Sequence, residues 1–85
     1  MNNYTIMAVL ISNRHAKAKD VQDIFTKYGC NIKMRLGLHE TTNVCAEEGL
    51  VILQLGGKEQ DIIDLESELN QLIGVKSKRI SLSLD

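Results

Sequence analysis

Apolar residues along the chain gather into short stretches of contrasting pattern. Ile6 to Ile11 and Leu50 to Leu55 are apolar at nearly every position, whereas Ile32 to Leu38 alternates cleanly with polar residues. A strand that is apolar on both faces has to be covered on both faces. The first stretch predicts a strand from about Tyr4 to Ser12, with Tyr4, Ile6, Ala8 and Leu10 on one face and Met7, Val9 and Ile11 on the other. Leu50 to Leu55 predicts another, closed by Gly56-Gly57. Between them Ile32, Met34, Leu36 and Leu38 alternate with Lys33, Arg35, Gly37 and His39. That period of two predicts a half-exposed edge strand over about Asn31 to His39, with Arg35 and Gly37 on its exposed side. Glu40 to Glu48 is polar and bounded by Gly49, which predicts a long hairpin connection rather than a tight turn.

Two segments carry helical spacing instead. Val21, Ile24, Phe25 and Tyr28, joined by Ala18, make one stripe, so a helix is predicted over Arg14 to Tyr28. Ser12-Asn13 supplies its capping side chain and Gly29 its left-handed stop. Ile62, Leu65, Leu69, Leu72 and Ile73 make the second stripe, predicting a helix over Lys58 to Ile73 that Gly74 closes. A last strand follows over Val75 to Leu84, with Ile80, Leu82 and Leu84 inward and Ser81 and Ser83 outward. Val75 is out of phase with that set, which predicts a bulge or bend near Lys78-Arg79.

The resulting order is β-α-β-β-α-β, the split β-α-β or ferredoxin-like arrangement of the α+β class. It has one antiparallel four-stranded sheet with two helices on one face, in a single domain spanning residues 1–85. The usual layout places the first and third strands centrally, and these are the two that are apolar on both faces. Two helices cover only one side of such a sheet. Something outside the chain is expected to cover the other, most simply a second copy.

Composition narrows the function. The chain has 85 residues, 44% hydrophobic and 25% charged, with a formal charge of −1 and a pI near 6.1. It is globular and offers a polyanion no general attraction, so no direct nucleic-acid contact is expected. Lys76, Lys78 and Arg79 read instead as a solvated strand edge. No apolar run is long enough for a membrane span, and the N-terminus lacks the features of a secretory signal. Cys30 and Cys45 are too few for a disulfide framework, and Cys30 is expected to be a small buried residue. A cytoplasmic location is the expectation.

Candidate chemistry is sparse. Arg35 could pair a carboxylate or phosphate, with Gly37 admitting ligand or partner backbone; the plainer reading is an interface ion pair and a strand glycine. His39 and Cys45 are weak candidates for a metal such as nickel, copper or zinc, and the plainer reading is two loop residues with no metal. No nucleophile-and-base motif or phosphate loop is present, so no catalytic residue and no cofactor are expected. Only His39 could be nominated as an acid or base.

Three segments carry a family resemblance: Ile11-Ser12-Asn13-Arg14, Met34-Arg35-Leu36-Gly37-Leu38, and Glu68 to Lys76 with its Leu69, Leu72, Gly74 and Val75. In order and position they resemble ACT-like regulatory domains, and within them a stand-alone family of iron-only hydrogenase system regulators. The fold is similar to that of the C-terminal domain of nickel-responsive repressors as well. The resemblance covers essentially the whole chain. It implies pairing through sheets or edges into a homodimer or tetramer, with a small-molecule effector at the subunit interface and a protein partner reading the state. The effector would lie near the turn after the first strand, here Asn13, Arg14 and His15, together with Arg35 and Gly37. The chain departs from amino-acid-binding ACT domains in lacking the glycine common at that turn. A non-enzymatic regulator is therefore expected; a small cytoplasmic enzyme or a metal-sensing module are the alternatives. With no helix-turn-helix segment, transcriptional regulation would need a separate DNA-binding partner.

Overall fold

The computed structural model describes residues 3–12, 14–38 and 48–84, without the side chains of residues 14–17 and 38. Its elements are β1 (Asn3–Ile11), α1 (Arg14–Lys27), β2 (Ile32–Leu38), β3 (Gly49–Leu55), α2 (Glu59–Gln71) and β4 (Val75–Ser83). The strands form one antiparallel sheet in the order β2-β3-β1-β4. The strands that are apolar on both faces are thus central, flanked by those apolar on one.

Both helices pack on the same face. Met7 and Val9 of β1, Leu53 of β3, Leu65 and Leu69 of α2 and Val75 of β4 are sealed from solvent at the centre of this core. Val21, Phe25 and Tyr28 bring α1 to it. The edges of both stripes are narrower than their spacing suggests. Ala18 is exposed, and Ile73, beyond the end of α2, is 83% exposed.

The phase of the two edge strands reverses the expectation. A register shift between Ile32 and Met34 inserts one extra residue into β2, leaving Ile32 opposite Leu55 and Met34 opposite Gln54. Residues directly opposite share a face, so a single bulge moves every following side chain to the other side. Ile32 packs on the core, whereas Met34 and Leu36 stand on the open face, 64% and 58% exposed. Arg35, opposite Leu53, and Gly37, opposite Val51, fall on the helix side rather than the exposed side. In β4 no bulge occurs near Lys78-Arg79, because the register with β1 runs unbroken from Ser83 to Val75. Val75, Ser77 and Arg79 therefore face the helices, and Ile80 and Leu82 point outward at 58% and 57% exposure. Val75 had no phase conflict to resolve; it and Ile80 serve opposite faces.

The turns also differ from the simple capping scheme. Gly29 does not take a left-handed conformation; α1 tightens at its end through Gly29 N–H to Thr26 O at 3.1 Å. Gly74 does, with φ +84°. Ser12 spends its polar groups there, its amide and hydroxyl both donating to the Gly74 carbonyl at 2.8 and 3.0 Å. This ties the end of β1 to the start of β4. Cys30, just past α1, is exposed rather than buried.

Side chains complete the attachment of the helices. Asn70 of α2 accepts from Ser77 N–H at 2.7 Å and from its hydroxyl at 3.1 Å, and donates to its carbonyl at 3.4 Å. Those main-chain groups lie on the outer edge of β4, so Asn70 occupies part of an otherwise free strand edge. Arg79 pairs with Glu66 of α2 at 3.1 Å. Between the helices, Tyr28 donates its hydroxyl to Glu68, which also receives Lys27 at 2.9 Å. Donation to Glu68, with burial, pushes the Tyr28 hydroxyl up to about 12. Lys27, and then Tyr28, hold the Glu68 carboxylate below its ordinary value.

Two outcomes follow for stability. Asn70→Ala strands the buried Ser77 amide and is expected to cost about 1–3 kcal/mol in urea unfolding. The Tyr28 contribution is complete below pH 10, where the unfolded chain begins to ionise, and is lost as pH rises through about 12. Glu68 acts in the opposite direction, its contribution vanishing as pH falls through the carboxylate range. In Tyr28→Phe the alkaline loss should be smaller than in the wild type, as read by unfolding midpoints across that window.

Candidate functional site

Of the residues singled out in the sequence, Arg35 lies at the middle of the sheet, level with Met7, and Gly37 nearer the end at which β1 finishes. Gly37 lies opposite Val51, and Val51 opposite Val9, two residues from the end of β1. Arg14 and His15 open α1. Asn13, and the metal candidates His39 and Cys45, lie outside the described residues.

Arg35 is held by α1 rather than offered to the open face. Its guanidinium stacks over the Phe25 ring, 5.0 Å from the centroid, and Nη1 donates to Gln22 Oε1 at 3.2 Å. Such a cation over a ring adds about 0.5–1 kcal/mol at an exposed position. Among the described residues it has no carboxylate partner, so most of its fork of donors stays available to an anion. Gly37 beside it borders empty space, since a Cβ built there would meet nothing within 4 Å. Gly37 thus faces open space on the helix side of β2, two residues along the strand from Arg35.

A concavity elsewhere was not foreseen. At the opposite end of the sheet, where β3 runs into α2, a cleft of about 480 Å3 is lined by residues including Thr5, Lys33, Gly56, Glu59, Arg79 and Ser81. Lys33 is the extra residue of the β2 bulge, and its stem lies flat over Gly56, where a Cβ would come within 2.3 Å of Cε. Gly57 takes φ +92°. Asn31 closes the turn, its amide donating to the Gly56 carbonyl at 3.1 Å and to Asp61 at 3.4 Å. Two cations, one carboxylate and the Thr5–Ser81 hydroxyl pair make this cleft suited to polar groups. Its only signal in the sequence is the Gly56-Gly57 pair directly before a helix.

The third feature is the open sheet face itself. Tyr4, Ile6, Ala8 and Leu10 run down its middle, flanked by Leu50 and Ile52, Met34 and Leu36, and Ile80 and Leu82. Gln54 is the one polar residue of β3 on it, and Lys76 and Lys78 mark one corner. Among the described residues no group of three or more metal-ligating side chains comes together, and no helix is long and apolar enough to cross a membrane.

No protein-family model matches the chain, and no curated protein matches it in sequence. Solved structures do match in fold. An uncharacterized protein from Thermotoga maritima is 19% identical, with a TM-score of 0.82 over 96% of this chain and 100% of its own. The ACT domain of GTP pyrophosphokinase from Chlorobium tepidum is 12% identical, with a TM-score of 0.67 over 94% and 89%. A nitrogen regulatory PII-like protein from Thiomonas intermedia K12, bound to ADP, AMP and bicarbonate, is 10% identical, with a TM-score of 0.62 over 96% and 92%. At these identities the likeness establishes an ACT-like, ferredoxin-like fold.

The two glycines of the cleft should respond differently to the same substitution. Gly56→Ala displaces only the flexible end of Lys33 and is expected to leave stability within about 0.5 kcal/mol of wild type. Gly57→Ala combines positive φ with a Cβ 2.6 Å from the anchored Asn31 amide, and should cost at least about 1 kcal/mol. Parallel thermal and urea denaturation of the two variants checks this.

Proposed function

We propose that the chain is a non-enzymatic regulatory module that binds a small-molecule effector and works as a homo-oligomer. The observation that carries this reading is on the helix side of β2: open space at Gly37, and two residues away Arg35, whose guanidinium is fixed on Phe25 with no carboxylate partner among the described residues. By the family resemblance Asn13, Arg14 and His15, where the chain passes from β1 to α1, would contribute to the same effector site. A helix start and a guanidinium both favour an anionic group. The whole-chain likeness to an ACT domain and to a PII-like regulatory protein supports the same class.

In this reading the effector sits at a subunit interface, and its differential affinity for two subunit arrangements shifts their populations. A protein partner reads the arrangement. The three motif segments around Asn13, Arg35 and Gly74 further connect the chain to regulators of iron-only hydrogenase systems, so the regulated process is a hydrogenase or redox pathway. Control of transcription would act through a separate DNA-binding partner.

The test is a thermal-shift screen with native mass spectrometry, using ADP, AMP, bicarbonate, amino acids and small dicarboxylates as probes. A true effector at a hundredfold excess over its Kd stabilises by about 2.7 kcal/mol, a shift of several degrees at this size. Gly37→Val should occupy the open space beside β2, leave the unliganded melting temperature nearly unchanged and abolish the shift. A shift that survives Gly37→Val, a screen with no binder, or turnover of any probe would each defeat the reading.

A further inference from the structure

We propose that the polar cleft at the β3–α2 turn is a binding site of its own, for a small polyhydroxylated anion of the sugar-phosphate or sugar-acid kind. This site goes beyond the effector reading above and does not rest on it, because the two places lie apart. Thr5 and Leu55 stand level at the cleft, whereas Val9 and Val51 stand level with Gly37. Four residues, or about 13 Å of strand, separate them.

The cleft is formed before any ligand arrives. Its volume of about 480 Å3 falls within the ~300–1,000 Å3 of small-molecule pockets. One wall is fixed by reciprocal bonds: Gly56 N–H donates to the Asn31 carbonyl at 2.8 Å, and the Asn31 amide donates back to the Gly56 carbonyl at 3.1 Å. A wall held this way loses little freedom on binding. Leu55 and Ile62, the aliphatic lining, are only 3% and 5% exposed, so an apolar ligand would find little surface to cover.

The polar lining is left over from folding. Lys33 and Glu59 are exposed and take part in no ion pair among the described residues. The Lys33 ammonium lies over the turn, 3.1 Å from the place a Gly56 Cβ would occupy. Arg79 uses Nε for Glu66 at 3.1 Å and keeps its terminal amino groups for a second acceptor. Thr5 and Ser81 are loosely joined, hydroxyl to hydroxyl at 3.4 Å, with neither fixed as donor.

These groups select in combination. Cations reaching in from the two outer strands, β2 and β4, favour an anionic group. A bare anion would also face the Glu59 carboxylate, a like charge. Ligand hydroxyls remove that conflict by donating to Glu59, and they exchange hydrogen bonds with Thr5 and Ser81 as well. An ammonium would answer Glu59 alone. An anion carrying several hydroxyls therefore matches all of the lining.

The experiment is an amide-resolved NMR titration of the full chain with ribose-5-phosphate, gluconate, free ribose, inorganic phosphate and alanine. Ribose-5-phosphate or gluconate should saturate shifts centred on Thr5, Gly56 and Gly57, and should bind more tightly than the other three. The better of the two identifies the anionic group as phosphate or carboxylate. Lys33→Gln, at an exposed position, should weaken that ligand about fivefold. Glu59→Gln should weaken it too, yet strengthen inorganic phosphate, a reversal that general damage to the fold does not produce. No saturable shift at these residues, binding indifferent to Lys33→Gln, or inorganic phosphate or alanine binding as tightly overturns the site. A Glu59→Gln variant that moves both ligands the same way overturns the hydroxyl assignment. Gly37→Val should leave the cleft shifts unchanged. Binding at the cleft with no ligand lost on Gly37→Val upholds this inference and defeats the proposed function; a ligand lost on Gly37→Val with none at the cleft does the reverse.

Discussion

Side chains alternate across a strand with a period of two, and this protein depends on where that count is interrupted. One additional residue in β2, at Ile32–Met34, decides which of two sets of side chains meets the helices. Ile32 stays with the core, and Met34 and Leu36 pass to the far side. The same step brings Arg35 under α1 and releases Lys33 to lie across Gly56. The helix-side position of Arg35 and Gly37, the Lys33 wall of the polar cleft and part of the open apolar face therefore share one local cause. A slip of one residue would exchange them all.

The sheet that results has two unlike sides. The helix side is finished: apolar at its centre and tied at its margins by the Asn70–Ser77, Arg79–Glu66 and Tyr28–Glu68 contacts. Its buried side-chain polar atoms all have partners among the described residues. The far side has no such closure, although its central strands are as apolar there as toward the core. Small domains have little stability to spare, and this uncovered apolar surface is what the proposed homo-oligomer would cover.

The layout of the fold was legible from pattern alone. Strands apolar throughout, β1 and β3, had to be central, and helices of Val21–Phe25 and Ile62–Leu69 spacing had to lie on one side of them. Less of the candidate site was legible. The place of β2 at the sheet edge beside β3 follows from the topology, but the side of the sheet on which Arg35 stands does not. Periodicity reports that alternate residues share a face and never which face, and a bulge leaves no mark in composition. Exposed Cys30 and Ala18 show the same gap at smaller scale, since small residues are tolerated inside and out.

The chain's own pattern of apolar residues determined the number and order of elements, the central strands and the existence of a second apolar face. Local spacing is enough for these, because burial follows from periods of two and 3.6 residues. Tertiary structure decided the rest: the phase of β2 and β4, the stacking of Arg35 on Phe25, the Ser12–Gly74 tie and the cleft over Gly56. Each depends on contacts between residues far apart in sequence, whose meeting is settled only when the strands take up their registers.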